Sequence, residues 1–257
     1  MILPGSNRLY SGAAANRSVV AHPQSQQAAS LPLVLASGSP RRRELLSALG
    51  ARFTLVVTDA EESDEPPPPE LAAALPPAPV PLHDNPALRA WRKARAAAER
   101  APDAVVLGAD TIVVLDGAVL NKPADAPEAR AMLRRLSGRA HTVYTGLCLL
   151  RPDGPPKLEI VASEVVFRPL DEAEIEAYVA TGEPLDKAGA YGLQGLGGGF
   201  VREVRGSYTA VVGFPLPAAH GLLTAGGIAG LDDPTTTYRR WLQSQGKEPL
   251  PWPPTLP

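Results

Sequence analysis

Two groups that could act on phosphate, a carboxylate and an ammonium, bracket an apolar stretch near the middle of the chain. Residues 104–107 predict a buried strand, and Gly108 and Asp110 follow it directly. Asp110 is therefore expected at the end of this strand, which is where open α/β sheets bind their ligands. Asp116-Gly117 predicts a hairpin turn that brings Lys122 back towards Asp110. This pair suits metal-assisted chemistry on phosphate, but taken alone the stretch favours the plainer interpretation, in which each residue caps a loop.

A second stretch combines a helix start with positive charge. Leu33–Ala36 predicts a strand, and Ser39 and Pro40 then suit the N-cap and first position of a helix. Backbone N–H groups and the helix dipole form an anion site at such a point. Because Arg41 and Arg42 oppose that dipole, a bound polyphosphate would explain them. A solvated basic turn is the alternative.

Acidic and proline-rich segments follow the next predicted strand, at residues 53–57. Residues 58–65 hold five acidic residues. Such a run is usually a solvated loop, but one carboxylate could reach the same cleft. Residues 64–85 are rich in proline and alanine, and we expect a surface excursion without a packed element. The helix predicted at 86–100 offers Lys93 as a phosphate contact, with a plain surface lysine as the alternative.

The rest of the chain predicts alternating helices and strands. Helices are expected at 126–136, 171–181 and 216–228, and strands at 142–150, 159–167, 200–204 and 210–212. The stretch 182–195 places charges and one amide, Gln194, between glycines that permit close approach of the backbone. These elements predict a mixed α/β fold.

Composition excludes several classes of function. The chain has 257 residues and a net charge of −2, so no strong field favours a nucleic-acid polymer or an acidic membrane surface. The four histidines lack ligand spacing, which argues against zinc. The single cysteine, Cys148, lies in an apolar run and is expected in the core. No apolar stretch approaches the roughly 20 residues of a membrane span.

Both ends of the chain differ from its body, residues 31–230. Residues 1–30 lack periodicity and predict a disordered leader. We expect a cytoplasmic protein, with mitochondrial targeting as the alternative because Arg8 and Arg17 come without an acidic residue. Residues 231–257 end in a proline-rich sequence and predict a loose tail.

Several motifs in order resemble the Maf family of nucleoside triphosphate pyrophosphatases. The resemblance runs from about residue 33 to 223, and its parts are Leu35–Arg42, Gly108–Thr111 with Lys122-Pro123, Ser137-Gly138 with His141, residues 182–195, and Gly206–Tyr208 with Val212-Gly213. The resemblance implies a curved α/β sheet, like that of inosine triphosphatases, split into two lobes around a substrate cleft. It also implies hydrolysis of a nucleoside triphosphate to the monophosphate and pyrophosphate with a divalent metal, Mg²⁺ or Mn²⁺.

The family's functional positions fall on particular residues of this chain. The catalytic aspartate falls on Asp110, and a metal-binding glutamate falls on Glu62, with Glu61 as the adjacent alternative. The phosphate-binding set and its companions in the cleft fall on Ser37, Arg41, Lys93, Lys122, Asp186 and Lys187. The positions that determine base specificity fall on Arg42, Thr111 and Gln194.

These three residues resemble the subgroup that acts on dTTP and UTP. The amide of Gln194 offers an acceptor and a donor, which match N3–H and O4 of uracil or thymine. Alternatives are a pyrophosphatase for 7-methyl-GTP or another modified nucleotide, a pyrophosphatase of the inosine-triphosphate type, and a nucleotide-binding regulator without turnover. The carboxylates favour an enzyme, and the motifs argue against the inosine-triphosphate type. A homodimer is common in such families.

Overall fold

The computed structural model describes residues 31–60, 63 and 65–246, and an open, mixed sheet forms their centre. Its strands are β1 (Leu33–Ala36), β2 (Thr54–Leu55), β3 (Val105–Leu115), β4 (Ala118–Leu120), β5 (Ala140–Leu150), β6 (Lys157–Phe167) and β7 (Val201–Arg205). The order is β2-β1-β3-β5-β6-β7, and β4 pairs with the end of β3. β1 is parallel to β2 and β3, and the other pairs are antiparallel. The predicted mixed α/β fold is confirmed.

Helices cover the sheet, and most begin at residues that cap them. They are α1 (Pro40–Ala48), α2 (Pro69–Ala74), α3 (Pro86–Ala98), α4 (Ala126–Leu136), α5 (Glu172–Ala180), α6 (Tyr208–Val212), α7 (Leu216–Ala225) and α8 (Pro234–Ser244). Ser39 caps α1 as predicted. The strand predicted at 210–212 is wrong, because the Ser207 side chain accepts from Ala210 N and starts a helix instead. None of the helices described is long and apolar enough to cross a bilayer.

Strand β3 is longer than predicted and passes through two hydrophobic cores. Val105 and Leu107 pack with α1, α7 and α8 in the first core, whereas Val113 and Leu115 pack with α4 and α5 in the second. Asp110 pairs with Gly146 of β5 between these cores. The predicted place of Asp110 at a strand end is therefore wrong, because the apolar residues beyond it continue the same strand into the second core.

Glycines let α3 cross closely over β3 and β5. A Cβ at Gly108 would stand 2.2 Å from the Ala90 carbonyl oxygen, and one at Gly146 would stand 2.2 Å from the Pro86 carbonyl carbon. Cys148, opposite Gly108 in the sheet, is buried beneath the same helix, as expected, and burial raises the pKa of its thiol. Residues on the sheet-facing side of α3 are thereby brought next to Asp110.

The segment after residue 230 is more ordered than predicted. Asp233 caps α8 by accepting from Thr236 N, and Tyr238, Trp241 and Leu242 are buried in the first core. Their spacing of three and four residues puts them on one face of a helix. The loose tail predicted for 231–257 is therefore wrong for 234–244, while residues 247–257 lie outside the described part, as does the leader, 1–30.

The proline-rich insertion also packs on the body. Leu71 of α2 is 5% exposed. The Asn85 side chain donates to the Pro76 carbonyl at 3.0 Å, and Arg92 Nη2 donates to the Glu65 carbonyl at 2.8 Å. The expectation that 64–85 holds no packed element is wrong, because Pro68 and Pro69 start a helical turn that buries Leu71.

Candidate active site

One cleft of about 670 Å³ contains every candidate residue that the structure describes. Its lining includes Ser37, Arg41, Arg42, Lys93, Asp110, Thr111, Lys122, Asp186, Lys187 and Gln194. Glu61 and Glu62 lie outside the described residues. The resemblance thus picked residues that are distant in sequence and close in space.

Asp110 lies between two cations of α3. It is 7% exposed, with Lys93 Nζ 2.8 Å from Oδ1 and Arg89 Nε 3.3 Å from Oδ2. Since successive side chains of a strand point to opposite faces, Asp110 faces α3 whereas Thr111 faces α1. Both carboxylate oxygens are therefore engaged by positive charge on the α3 side of the sheet.

Sequence reasoning missed Arg89 and Arg92, which line the cleft beside Lys93. Arg89 Nη1 donates to Asn121 Oδ1 at 3.3 Å and lies 3.9 Å from Asp84 Oδ1. The signal was present in the sequence, because positions i, i+3 and i+4 share one face of a helix. Arg89 joins the end of the insertion and the loop after β4 to Asp110.

Cationic side chains outnumber carboxylates in the described lining. The cations are Arg41, Arg42, Arg89, Arg92, Lys93, Lys122 and Lys187, and the carboxylates are Asp59, Asp84, Asp110 and Asp186. A cleft lined by an excess of one charge concentrates ligands of the opposite charge. This lining suits a polyanion.

Arg42 is buried and bound by the protein itself. Its Nε donates to Gly213 O at 2.9 Å, its Nη1 to Ala109 O at 2.7 Å and its Nη2 to Thr111 Oγ1 at 3.0 Å. Thr111 Oγ1 in turn lies 2.9 Å from Thr145 Oγ1. The charge of Arg42 therefore does not require an anion to explain it, and two of the three predicted specificity positions are in direct contact.

Arg41, one residue earlier, is half-buried on the cleft wall. Across the cleft, Lys187 Nζ lies 2.5 Å from Asp186 Oδ1 and donates to the Glu183 carbonyl at 2.7 Å. Burial raises the pKa of Asp186, but the hydrogen bond from Lys187 and the charges of Lys187 and Arg41 outweigh it and lower the pKa. Asp186 is therefore ionised at neutral pH, where it holds Lys187.

The glycines of the 182–195 stretch make room for side chains of the same stretch. A Cβ at Gly195 would stand 2.2 Å from Glu183 Oε1, and one at Gly192 would stand 2.7 Å from Lys187 Cε. Glu183 accepts from Tyr178 Oη at 2.9 Å and from Leu196 N at 3.0 Å. This carboxylate fixes the loop that carries Gln194.

Gln194 has one unpaired and buried acceptor. Its Nε2 donates to Gln245 Oε1 at 3.4 Å, whereas its Oε1 is buried and has no hydrogen-bond partner in the described part of the chain. A buried amide oxygen without a partner is costly, by about 1–3 kcal/mol. In the structure the protein covers this oxygen, so a ligand that brings a donor has to uncover it first.

His141 supports the same loop from beneath. Its Nε2 lies 2.8 Å from the Tyr191 hydroxyl, and the His141 ring packs edge-on against Phe167 and Tyr191. Burial lowers the pKa of His141 to about 4, so the imidazole is neutral at pH 7. His141 therefore acts in the structure as a neutral partner of Tyr191, which lines the cleft.

Most of the chain, including the cleft, matches a known protein family. Residues 32–225 match the family described as Maf-like protein. The chain belongs to the Maf family. The matched range contains the cleft residues that follow β1, those of α1, α3 and β3, and the loop with Gln194, while α8 and Gln245 lie beyond it.

Three relatives in the Maf family match most of the chain, and each is named dTTP/UTP pyrophosphatase. The relative from Deinococcus radiodurans is 46% identical over 198 residues, which are 77% of this chain and 94% of the relative. That from Escherichia coli O157:H7 is 50% identical over 195 residues, with 75% and 91% covered. That from Moorella thermoacetica is 50% identical over 202 residues, with 76% and 95% covered.

Metal ligands in this Maf chain would be carboxylates. Within residues 31–60, 63 and 65–246, no three His, Cys, Asp or Glu side chains converge as a metal site. The acidic side chains of the cleft are hard oxygen donors, which suit Mg²⁺ or Mn²⁺ bound through one or two carboxylates and phosphate oxygens. Asp110 fits that pattern.

Proposed function

We propose that this chain hydrolyses nucleoside triphosphates to the monophosphate and pyrophosphate, with dTTP and UTP as preferred substrates. The observation that carries the proposal is the position of Asp110, buried between Lys93 and Arg89 in a cleft whose lining is mainly cationic. Relatives that are named dTTP/UTP pyrophosphatase and match over 91–95% of their own length support it.

Asp110 acts as the base in this proposal. The triphosphate draws Lys93 and Arg89 towards its oxygens, because phosphate competes with Asp110 for both cations. The carboxylate is then available to accept a proton from the water that attacks the α-phosphorus. Arg41, Lys122 and Lys187 neutralise the charge that the departing pyrophosphate carries.

Asp110 and Glu62 would hold a divalent cation, Mg²⁺ or Mn²⁺, together with phosphate oxygens of the substrate. When bound, such a cation polarises the phosphoryl group and neutralises its charge. Asp110 contributes a buried carboxylate to this set, and the other side chains of the cleft orient the triphosphate around it.

Base selection rests on Gln194, Arg42 and Thr111. Once the base has uncovered it, the unpaired Oε1 of Gln194 accepts N3–H of uracil or thymine, and Nε2 carries a second hydrogen for O4. Cytosine offers an unprotonated N3 and an amino group, so both contacts would be lost. Arg42 and Thr111 hold each other and shape the wall beside this amide.

A panel of triphosphates tests the proposal. Purified protein is assayed with UTP, dTTP, CTP, ATP and 7-methyl-GTP, and pyrophosphate and orthophosphate are measured separately. We expect pyrophosphate as the product, with kcat/KM for UTP and dTTP about 10²-fold or more above that for CTP, since two buried polar groups would be mismatched. Orthophosphate as the main product would contradict the reaction itself.

The same panel separates the alternatives. A preference for 7-methyl-GTP would replace the assignment to dTTP and UTP while leaving the pyrophosphatase reaction in place. Binding of nucleotide without any turnover, with Mg²⁺ and with Mn²⁺, would instead indicate a regulator that uses this cleft only to bind.

A further inference from the structure

Helix α8 reaches from outside the family match to the residue that is proposed to select the base. Trp241 Nε1 and Gln245 Nε2 both donate to Glu44 Oε1 of α1, at 2.8 and 2.6 Å. Gln245 Oε1 then accepts from Gln194 Nε2 at 3.4 Å. A continuous hydrogen-bonded path therefore runs from α1 through the end of α8 to Gln194.

The groups along this path determine which one donates and which one accepts in each hydrogen bond. An ionised carboxylate only accepts hydrogen bonds, so Glu44 must accept from the side-chain amino group of Gln245. The side-chain oxygen of Gln245 therefore points to Gln194 and must accept a hydrogen bond from the side-chain amino group of that residue. The remaining acceptor of Gln194, Oε1, is left without a partner in the part of the chain described.

Packing holds the path in place. Trp241 is 3% exposed and Leu242 1% exposed, and both belong to the core that contains Leu45 and Leu46 of α1. The indole of Trp241 uses the same oxygen of Glu44 as Gln245 does. Because α8 is anchored one turn before Gln245, Glu44 and Gln245 meet on a supported helix end.

We propose that α8 is part of the base-recognition apparatus and that Gln245 is a positioning residue for specificity. It fixes the orientation of the Gln194 amide, so that Oε1 is the acceptor that N3–H of uracil or thymine meets once the base has uncovered it. Without Gln245, the Gln194 amide can rotate and present its amino group, which suits the unprotonated N3 of cytosine. This inference rests on the proposed preference for dTTP and UTP.

The test compares Gln245→Ala with wild type, using UTP and CTP as substrates. We expect the ratio of kcat/KM for UTP over CTP to fall about three- to tenfold, the worth of one hydrogen bond that sets orientation. KM for UTP should rise while the melting temperature stays the same, because Gln245 is exposed and Trp241 and Leu242 remain in place. Glu44→Gln replaces a group that only accepts hydrogen bonds by one that can also donate. The orientation of the Gln245 amide is then no longer fixed, so this variant should lower the ratio as well.

Two controls make the test specific. Gln243→Ala removes the same type of side chain from the same helix turn, where it is exposed, and should leave the ratio unchanged. In the double variant Gln194→Ala/Gln245→Ala, loss of Gln245 should add nothing to the effect of Gln194→Ala, because interacting residues are not additive.

The outcomes distinguish the two proposals. If wild type prefers UTP and Gln245→Ala keeps the full preference, the role of α8 is refuted while the proposed function stands. Equal effects of Gln243→Ala and Gln245→Ala would also refute it, since the helix end would then act without a specific contact. A wild type that does not discriminate between UTP and CTP would refute the proposed preference and this inference together.

Discussion

Lys93 Nζ donates to Asp110 Oδ1 at 2.8 Å inside a site where both side chains are about one-tenth exposed. The contact exists because Gly108 and Gly146 let α3 approach β3 and β5. An ammonium this close stabilises the carboxylate and occupies one of its lone pairs. The ion pair thereby holds Lys93 on Asp110 until a phosphate group competes for the lysine.

The first prediction follows from this contact. Asp110→Asn removes the proton acceptor while keeping the shape of the side chain, so pyrophosphate release with UTP should fall about 10²- to 10⁴-fold. Steady-state release of pyrophosphate measures it. Asp116→Asn is the matched control, because Asp116 is an exposed aspartate at the end of the same strand, bound to Arg139, and asparagine suits its positive φ. A near-wild-type rate for Asp110→Asn would remove Asp110 from the reaction.

The second prediction concerns Arg89. Because Arg89 forms an ion pair with Asp110 in the cleft, Arg89→Ala should lower kcat/KM for UTP about 10- to 100-fold, as expected when a phosphate loses a hydrogen bond from a charged donor. Most of the loss should be a rise in KM, measured by initial rates. Arg95→Ala on the same helix should have little effect, because Arg95 is exposed and lies over Trp91. Equal losses in both variants would indicate damage to α3 as a whole.

Local signals in the sequence predicted most of the elements around the site. The cap Ser39, the Asp116-Gly117 turn and the strands predicted at 142–150 and 159–167 each depend on neighbouring residues, and all are confirmed. The helix over 126–136 has the predicted bounds. The short strand β2 was overextended to 53–57, because only two of its residues pair with β1.

What could not be predicted depends on long-range packing. The place of Asp110 within β3 follows from a second core that forms only when α4 and α5 fold against the strand. The order of α8 follows from burial of Trp241 and Leu242 beside α1, roughly 200 residues earlier in the chain. Arg89 and Arg92 are different, since their helical spacing with Lys93 was visible in the sequence.

The third prediction concerns the insertion. Replacing Pro66–Asp84 by a short Gly/Ser linker removes the burial of Leu71 and the bond from Asn85 to Pro76. The free energy of unfolding should fall by about 1–3 kcal/mol, close to the value for burying one leucine. Urea titration measures it, with Glu70→Ala as a control on the exposed side of α2. An unchanged stability would show that the contacts of the insertion are worth little.

The last prediction is a dependence of stability on pH that arises from His141. Burial lowers the pKa of His141 from 6.5 to about 4, so the unfolded chain takes up a proton at a higher pH than the folded chain does. Between these values the unfolded state binds more protons, and stability therefore falls as the pH falls from 6.5 towards 4. The loss attributable to this residue is on the order of 3 kcal/mol when complete.

His141→Gln isolates this contribution. A glutamine can still hydrogen-bond the Tyr191 hydroxyl but does not titrate, so the free energy of unfolding should depend less on pH across the upper part of that window. Urea titrations at a series of pH values measure the slope for each protein. His83→Gln is the matched control, because the side chain of His83 is 69% exposed. If wild type and His141→Gln have the same slope, the neutral His141–Tyr191 pair is not a source of the acid sensitivity.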